Sequence, residues 1–300
     1  MTATSVERPS LRDRIAGFVA LTKPRIIELL LVTTVPAMIV AAEGWPGTRL
    51  VIATVVGGSL AAGGANATNM FIDRDIDRLM ERTKGRPLVT GTVKPAEALV
   101  FAVALQAIAF ALLWFEVNLL AASLALGAGL FYIFVYSLWL KRTSTSNIVI
   151  GGAAGSAPPM IGWAAVTNDV GVEAVVLFLL VFLWTPPHFW ALAMRYADDY
   201  SAADVPMLPS VSSTDATTSQ ILSYSISVLV TALLFWPVAG LGLIYGIPAA
   251  LAGALFVLHS ARLRHDPTPR QAMRTFAFSI SMLTVVFLAM AVDELVRSGW

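Results

Sequence analysis

The sequence predicts an all-α polytopic membrane protein of about nine transmembrane helices around a central cavity, and three observations lead there. Of its 300 residues, 57% are hydrophobic and only 13% are charged, and the mean hydropathy of +0.75 lies far above that of a soluble chain. Apolar windows of about 20 residues, the length that crosses a bilayer, begin near Ile26, Leu50, Ala96, Leu119, Asn147, Val172, Ile221, Leu241 and Thr275. With the amino terminus inside, 18 of the 20 Lys and Arg fall in inner segments, since only Arg49 and Arg297 lie outside. These features leave room for one domain over residues 1–300, with residues 1–20 as a cytoplasmic amino-terminal segment. They place the chain as a multi-pass protein of the cell inner (plasma) membrane. The first residues lack a cleavable apolar core, so no signal peptide is expected. Absence of cysteine excludes disulfides, iron–sulfur ligation and thiol catalysis, and His188, His259 and His265 are too dispersed for a local zinc motif. Nothing points to nucleic acid.

The first span opens at Thr22-Lys23-Pro24-Arg25, where proline suits an early helical position. The two cations anchor the inner surface, and Arg25 is a candidate for contact with an anionic substrate. The second span carries Gly57, Gly58, Gly63 and Gly64, small residues that allow close helix approach in lipid, and ends in the most informative stretch of the chain. There Asn66, Asn69, Asp73 and Asp77 step by three, four and four, which puts them within roughly 80° on one helix face. Asp75 points the other way. Two amides and two carboxylates form an oxygen-donor face suited to Mg2+, which takes one or two carboxylates and fills its other positions with water and phosphate oxygens. The competing reading is a solvated helix end whose carboxylates pair with Arg74, Arg78 and Arg82 at helical spacing. Against it, Asn66 and Asn69 lie inside the apolar run, where an unsatisfied amide is costly. The next loop supplies Lys84 and Arg86 as counter-charge for an oligoanion.

Spans three and four read as packing material. Phe131, Tyr132, Phe134, Tyr136 and Trp139 suit an interface belt, and Lys141 and Arg142 close the fourth span on the inner side. Span five combines Gly151, Gly152 and Gly155 with Pro158-Pro159, a close-packing face followed by an expected break. Span six holds Trp184-Thr185-Pro186-Pro187-His188-Phe189-Trp190 and runs on to Tyr196, Asp198, Asp199 and Asp204. Its double proline is expected to open the helix where it lines a cavity. On an unbroken helix His188 and Asp199 share a face within about 20°, separated by roughly 16 Å. Spans two and six thus both end inside in carboxylates. The later spans carry few polar residues, and His265-Asp266-Pro267 reads as a turn.

With both acidic ends in view, the chain resembles the UbiA superfamily of intramembrane prenyltransferases, whose first motif, Asn-x-x-Asn-x-x-x-Asp-x-x-x-Asp, is matched by Asn66, Asn69, Asp73 and Asp77. Within it the likeness narrows to the heme-farnesylating branch, on Leu21 to Arg25, Lys141-Arg142-Thr143, Asn147 to Gly152, Pro186 to Phe189 and Pro206 to Pro209. The second motif departs from the superfamily's spaced Asp-x-x-x-Asp, and Asp199 is the favoured residue there. The resemblance implies transfer of a farnesyl group from farnesyl diphosphate to a vinyl group of heme b, with Mg2+ at Asn69, Asp73, Asp77 and Asp199. Asn66, Arg25, Lys84, Arg86, Lys141, Arg142, His188, Trp184 and Tyr196 are then substrate-binding. His188 serves either as an axial iron ligand or as a wall of the porphyrin pocket. The expected partners are the two substrates, membrane lipid, and a heme A synthase or terminal oxidase assembly. The alternatives are a sister prenyltransferase acting on an aromatic quinone precursor and a cation-coupled transporter.

Overall fold

The computed structural model describes residues 10–300, apart from the side chains of Arg25, Ile26, Ile27, Leu29 and Leu30. Among the described residues it is helical throughout, with no strand. An amino-terminal helix, α1 (Leu11–Thr22), is started by a capping box between Ser10 and Asp13. Eight helices are long and apolar enough to cross a membrane: α3 (Thr48–Ile72), α6 (Pro95–Glu116), the rod Leu119–Thr143, α9 (Asn147–Thr167), α10 (Val172–Arg195), α13 (Thr214–Val238), α14 (Leu243–His265) and α15 (Pro269–Arg297). A ninth apolar helix, α2 (Pro24–Ala41), fills the place of the first window. Short helices α4 (Arg74–Leu79), α5 (Pro87–Thr90), α11 (Ala197–Ala202) and α12 (Leu208–Val211) occupy connections between the spanning helices. The rod Leu119–Thr143 consists of α7 (Leu119–Leu130), a π-helical stretch (Phe131–Leu140) and a last turn, α8 (Lys141–Thr143).

Each spanning helix packs on the next in chain order, and α2 closes the ring by touching α15, α9 and α3. Several helices begin a few residues before the apolar windows, because polar first turns project past the hydrocarbon and carry caps: Ser213 bonds the Ala216 amide and Thr268 the Gln271 amide. The core of one half rests on the fully buried Phe235, Tyr245, Phe256 and Phe287. Buried Asp293 is accounted for there, since it accepts the amides of Gly242 and Tyr245 at 2.8 and 2.9 Å and so caps the start of α14. Close approach at two glycines matters for the site. A Cβ on Gly64 would lie 2.9 Å from the Ala102 carbonyl of α6, and one on Gly151 would strike the ring of Tyr136.

Both double prolines differ from expectation. Pro158-Pro159 and Pro186-Pro187 sit inside continuous helices rather than at breaks. Pro159, Pro186 and Pro187 are buried against neighbouring helices, and that packing holds the helix through the two missing amide bonds. The real interruption comes later. α10 stops at Arg195, Tyr196 leaves helical geometry (φ −115°, ψ 24°), and α11 starts afresh. The shared helical face expected for His188 and Asp199 therefore does not exist.

Candidate active site at the inner end of the ring

The inner end of α3 delivers the polar face. α3 ends at Ile72 and Asp73 bends the chain into α4, yet the Asp73 amide still bonds the Asn69 carbonyl (2.9 Å) and the Asp77 amide the Asp73 carbonyl (2.8 Å). Helical spacing is preserved through the bend, so the four residues keep one face. Asn66, Asn69, Asp73 and Asp77 are all buried, Asp73 completely, while the Asp75 side chain is 63% exposed.

The carboxylates are matched by distant cations rather than by helical neighbours. Arg74 turns back on to the Phe71 carbonyl and ring, and Arg82 lies over the ring of Tyr196. Asp73 is instead held by Lys141, with Asn69 Nδ2 donating to its Oδ2 at 2.7 Å. Arg86 Nη1 donates to both Asp77 oxygens, at 2.7 and 2.6 Å. Arg142 makes a two-pronged pair with Asp75 at 2.8 Å, holds the Ile72 carbonyl at 3.1 Å, and stands 4.0 Å from Asp73 Oδ1. The same pair with Arg142 drives the Asp75 carboxyl well below its usual range.

Two sequence candidates fall away from this cluster. Lys84 pairs with Glu81 on the exposed surface, three residues along the chain, and does not face the carboxylates. Arg25 starts α2, and its side chain lies outside the described residues. Lys23, read from the sequence only as a surface anchor, reaches the cluster instead. Lys23 adopts the left-handed backbone (φ 53°) between α1 and α2, and its Nζ donates to Asn69 Oδ1 at 2.9 Å. Burial, then the charges of Arg86 and Lys141, lower its ammonium to about 7. Asn66 ties the same junction to α3 by donating to the Thr22 carbonyl at 3.0 Å.

The π-helical stretch is the other feature the sequence reading missed. Its wider turn brings Tyr132, Tyr136, Ser137 and Lys141, four or five residues apart, on to one face. Ser137 Oγ accepts from Asn69 at 2.9 Å and donates to the Tyr132 carbonyl at 2.9 Å, and the rings of Tyr132 and Tyr136 stack at 5.4 Å. Of the expected aromatic belt, Phe134 and Trp139 do face outward. A run of aromatics ending in Lys-Arg gave no periodicity from which a π turn could be read.

The end of α10 approaches from across the ring. Asp199 Oδ2 accepts the Arg82 amide at 3.3 Å. Tyr200 bonds the Arg82 side chain, and burial raises its phenol above the usual range. Among the described residues no three His, Asp or Glu side chains come close enough to make a protein-only metal cage, so Asp199 does not join Asp73 and Asp77 in one tight cluster. His188 and Trp184 belong to a separate place further along α10, stacked on each other at 4.1 Å.

The donor set fits a hard divalent cation shared with an oligophosphate. All its ligating atoms are oxygens, and Asp73 Oδ1 is fully buried with no hydrogen-bond partner, a lone-pair site left over by the protein's own bonding.

Residues 30–284 match the model of the UbiA prenyltransferase family. A protein of Pseudarthrobacter chlorophenolicus described as protoheme IX farnesyltransferase is 49% identical, over 99% of this chain and 94% of that one. One of Clavibacter sepedonicus with the same description is 52% identical, over 93% and 92%. Among solved structures, a digeranylgeranylglyceryl phosphate synthase superposes with a TM-score of 0.77 at 19% identity, covering 94% of this chain and 99% of that one. A UbiA homologue from Archaeoglobus fulgidus bound to DMAPP and Mg2+ gives 0.71 at 16% identity, over 93% and 99%.

Proposed function

The chain belongs to the UbiA prenyltransferase family, and on that premise we propose that it transfers the farnesyl group of farnesyl diphosphate to a vinyl group of protoheme IX (heme b), giving heme O. The near-full-length identity of about half with proteins described as protoheme IX farnesyltransferase supports the acceptor. One observation carries the donor site: buried Asp73 and Asp77 ringed by Lys141, Arg86 and, through Asn69, Lys23.

In this reading Asn69, Asp73 and Asp77 would hold Mg2+ with the diphosphate, Asn66 steadies the α1–α2 junction beside them, and Asp199, which accepts the Arg82 amide, is the carboxylate that α11 would add. A Mg2+ held by these residues would supply neutralisation of the charge that develops on the departing diphosphate. The chain's own cations do the same from fixed positions. Lys141 and Arg86, paired with Asp73 and Asp77, are placed to bond phosphate oxygens of the donor, with Lys23 and Arg142 behind them. The C1–O bond of farnesyl diphosphate breaks with its electron pair going to diphosphate. The vinyl carbon bonds to C1, and the cation so formed takes hydroxide from water, which releases a proton. Tyr132, Tyr136 and Tyr196, with the apolar helix walls, keep bulk water from the allylic carbon until that bond has formed.

The inner end of the ring collects the cationic loops after α3, the π stretch, α10 and α14, whereas Arg49 and Arg297 sit at the other end beside Glu116 and Glu294. That distribution supports a plasma-membrane orientation with the amino terminus in the cytoplasm. Product analysis by mass spectrometry tests the reading: purified protein in nanodiscs, with protoheme, farnesyl diphosphate and Mg2+, yields a hydroxyethylfarnesyl heme. Prenylation of an aromatic quinone precursor in place of heme overturns it.

A further inference from the structure

His188 plays no part in the diphosphate end, and its surroundings are too specific for packing alone. Its Nδ1 lies 2.7 Å from Ser279 Oγ on α15. That hydroxyl spends its proton on the Phe276 carbonyl at 2.6 Å, so Ser279 accepts and His188 Nδ1 carries the hydrogen. In a neutral imidazole the lone pair is then on Nε2. Both ring faces are covered, by Trp184 at 4.1 Å and 20° and by Phe276 at 4.5 Å and 29°, with Phe189 edge-on at 5.5 Å. Trp184 is itself pinned by donating to the Ser279 carbonyl at 2.9 Å. One tautomer and one orientation are thus imposed, while Nε2 meets no hydrogen-bond partner among the described residues.

The large majority of buried side-chain polar atoms in folded proteins have a hydrogen-bond partner. A histidine that binds metal donates its far N–H into a polar chain and presents the other nitrogen from a locked ring, which is the arrangement here. Among the described residues His188 belongs to no group of three His, Cys, Asp or Glu side chains, so no protein-only metal cage forms around this imidazole. It can fill one axial position of an iron that four porphyrin nitrogens already hold.

We propose that His188 Nε2 is an axial ligand to the iron of the acceptor heme, and that this bond sets the depth and tilt of the macrocycle in the ring of helices. The inference rests on the protoheme reading above and adds the residue that seats the acceptor. The iron takes no part in the transfer, so the ligand acts through positioning.

The test uses full-length protein in nanodiscs, titrated with protoheme and with metal-free protoporphyrin IX, and followed by absorption and electron paramagnetic resonance. Wild type gives the spectrum of an imidazole-ligated iron. In His188→Ala that spectrum disappears and returns with added imidazole. The KM for protoheme rises about tenfold or more, the scale on which even outer-shell partners alter metal affinity, while the KM for farnesyl diphosphate stays within about twofold. Affinity for metal-free protoporphyrin is unchanged. His188→Met keeps the side-chain bulk and replaces the imidazole signature with a thioether one, which covers the case of an unstable alanine variant. An unaltered iron spectrum in both variants, or equal loss of affinity for protoheme and metal-free porphyrin, overturns the proposal. A wild type that binds protoheme through His188 yet prenylates only another acceptor overturns the functional reading instead.

Discussion

Replacing Asp73 by Asn separates the two jobs its carboxylate performs. Asp73 is fully buried, Lys141 is 13% exposed, and the two are paired, with Arg142 standing 4.0 Å from the other Asp73 oxygen. Removing one member leaves a buried ammonium uncompensated, a loss of about 3–5 kcal/mol in comparable pairs, so Asp73→Asn lowers the unfolding free energy on that scale. The double variant Asp73→Asn with Lys141→Met removes both charges and returns stability to within about 1 kcal/mol of wild type. Turnover does not return with it. Asp73→Asn also removes the anchor for the metal-bound diphosphate, and loss of one preorganised transition-state contact lowers kcat about 10²–10³-fold. Asp75→Asn is the control: its pair with Arg142 is 63% and 33% exposed, a surface pair in which breaking the bond changes stability by about 1 kcal/mol or less, and its turnover stays near wild type. Thermal unfolding in detergent and heme O formation in nanodiscs read the two quantities separately. Recovery of turnover in the double variant, or an Asp75→Asn loss as deep as that of Asp73→Asn, refutes the argument.

The other expectations can be checked with the same preparations. Arg86→Met raises the KM for farnesyl diphosphate at least about tenfold and that for protoheme much less, whereas Lys84→Met, removing a cation that faces solvent beside Glu81, changes neither; equal effects of the two would return Arg86 to the surface-charge class. Chelating divalent cations stops turnover and weakens binding of farnesyl diphosphate, measured with a fluorescent analogue, but leaves the protoheme spectrum as it was; turnover persisting in chelator removes the metal from the site. Because the chain has no cysteine, single cysteines report topology cleanly: Gly85→Cys and Thr145→Cys are labelled by an impermeant maleimide only from the cytoplasmic side and Asp169→Cys only from the outside, and the reverse pattern inverts the orientation.

What the sequence determined by itself follows from two local rules. Hydrocarbon forces backbone bonds to close within each segment, so apolar windows gave the helices and their order, and cation placement separated the ring's two ends. Helical spacing put Asn66, Asn69, Asp73 and Asp77 on one face because their bonds run from residue to fourth residue even through the bend at Asp73. Charge pairing was not local, and there tertiary structure decided. Lys141, Arg86 and Lys23 reach these residues from 68, 9 and 46 positions away in the chain, while Lys84, equally cationic and closer to Arg86 in sequence than either of the others, turns to Glu81. The π turn that aims Ser137 and Lys141, the unbroken prolines of α10 and the stop at Tyr196 are likewise settled by packing between helices. A side chain's own sequence neighbours fix which face of a helix it occupies, but only the closed ring fixes what that face meets.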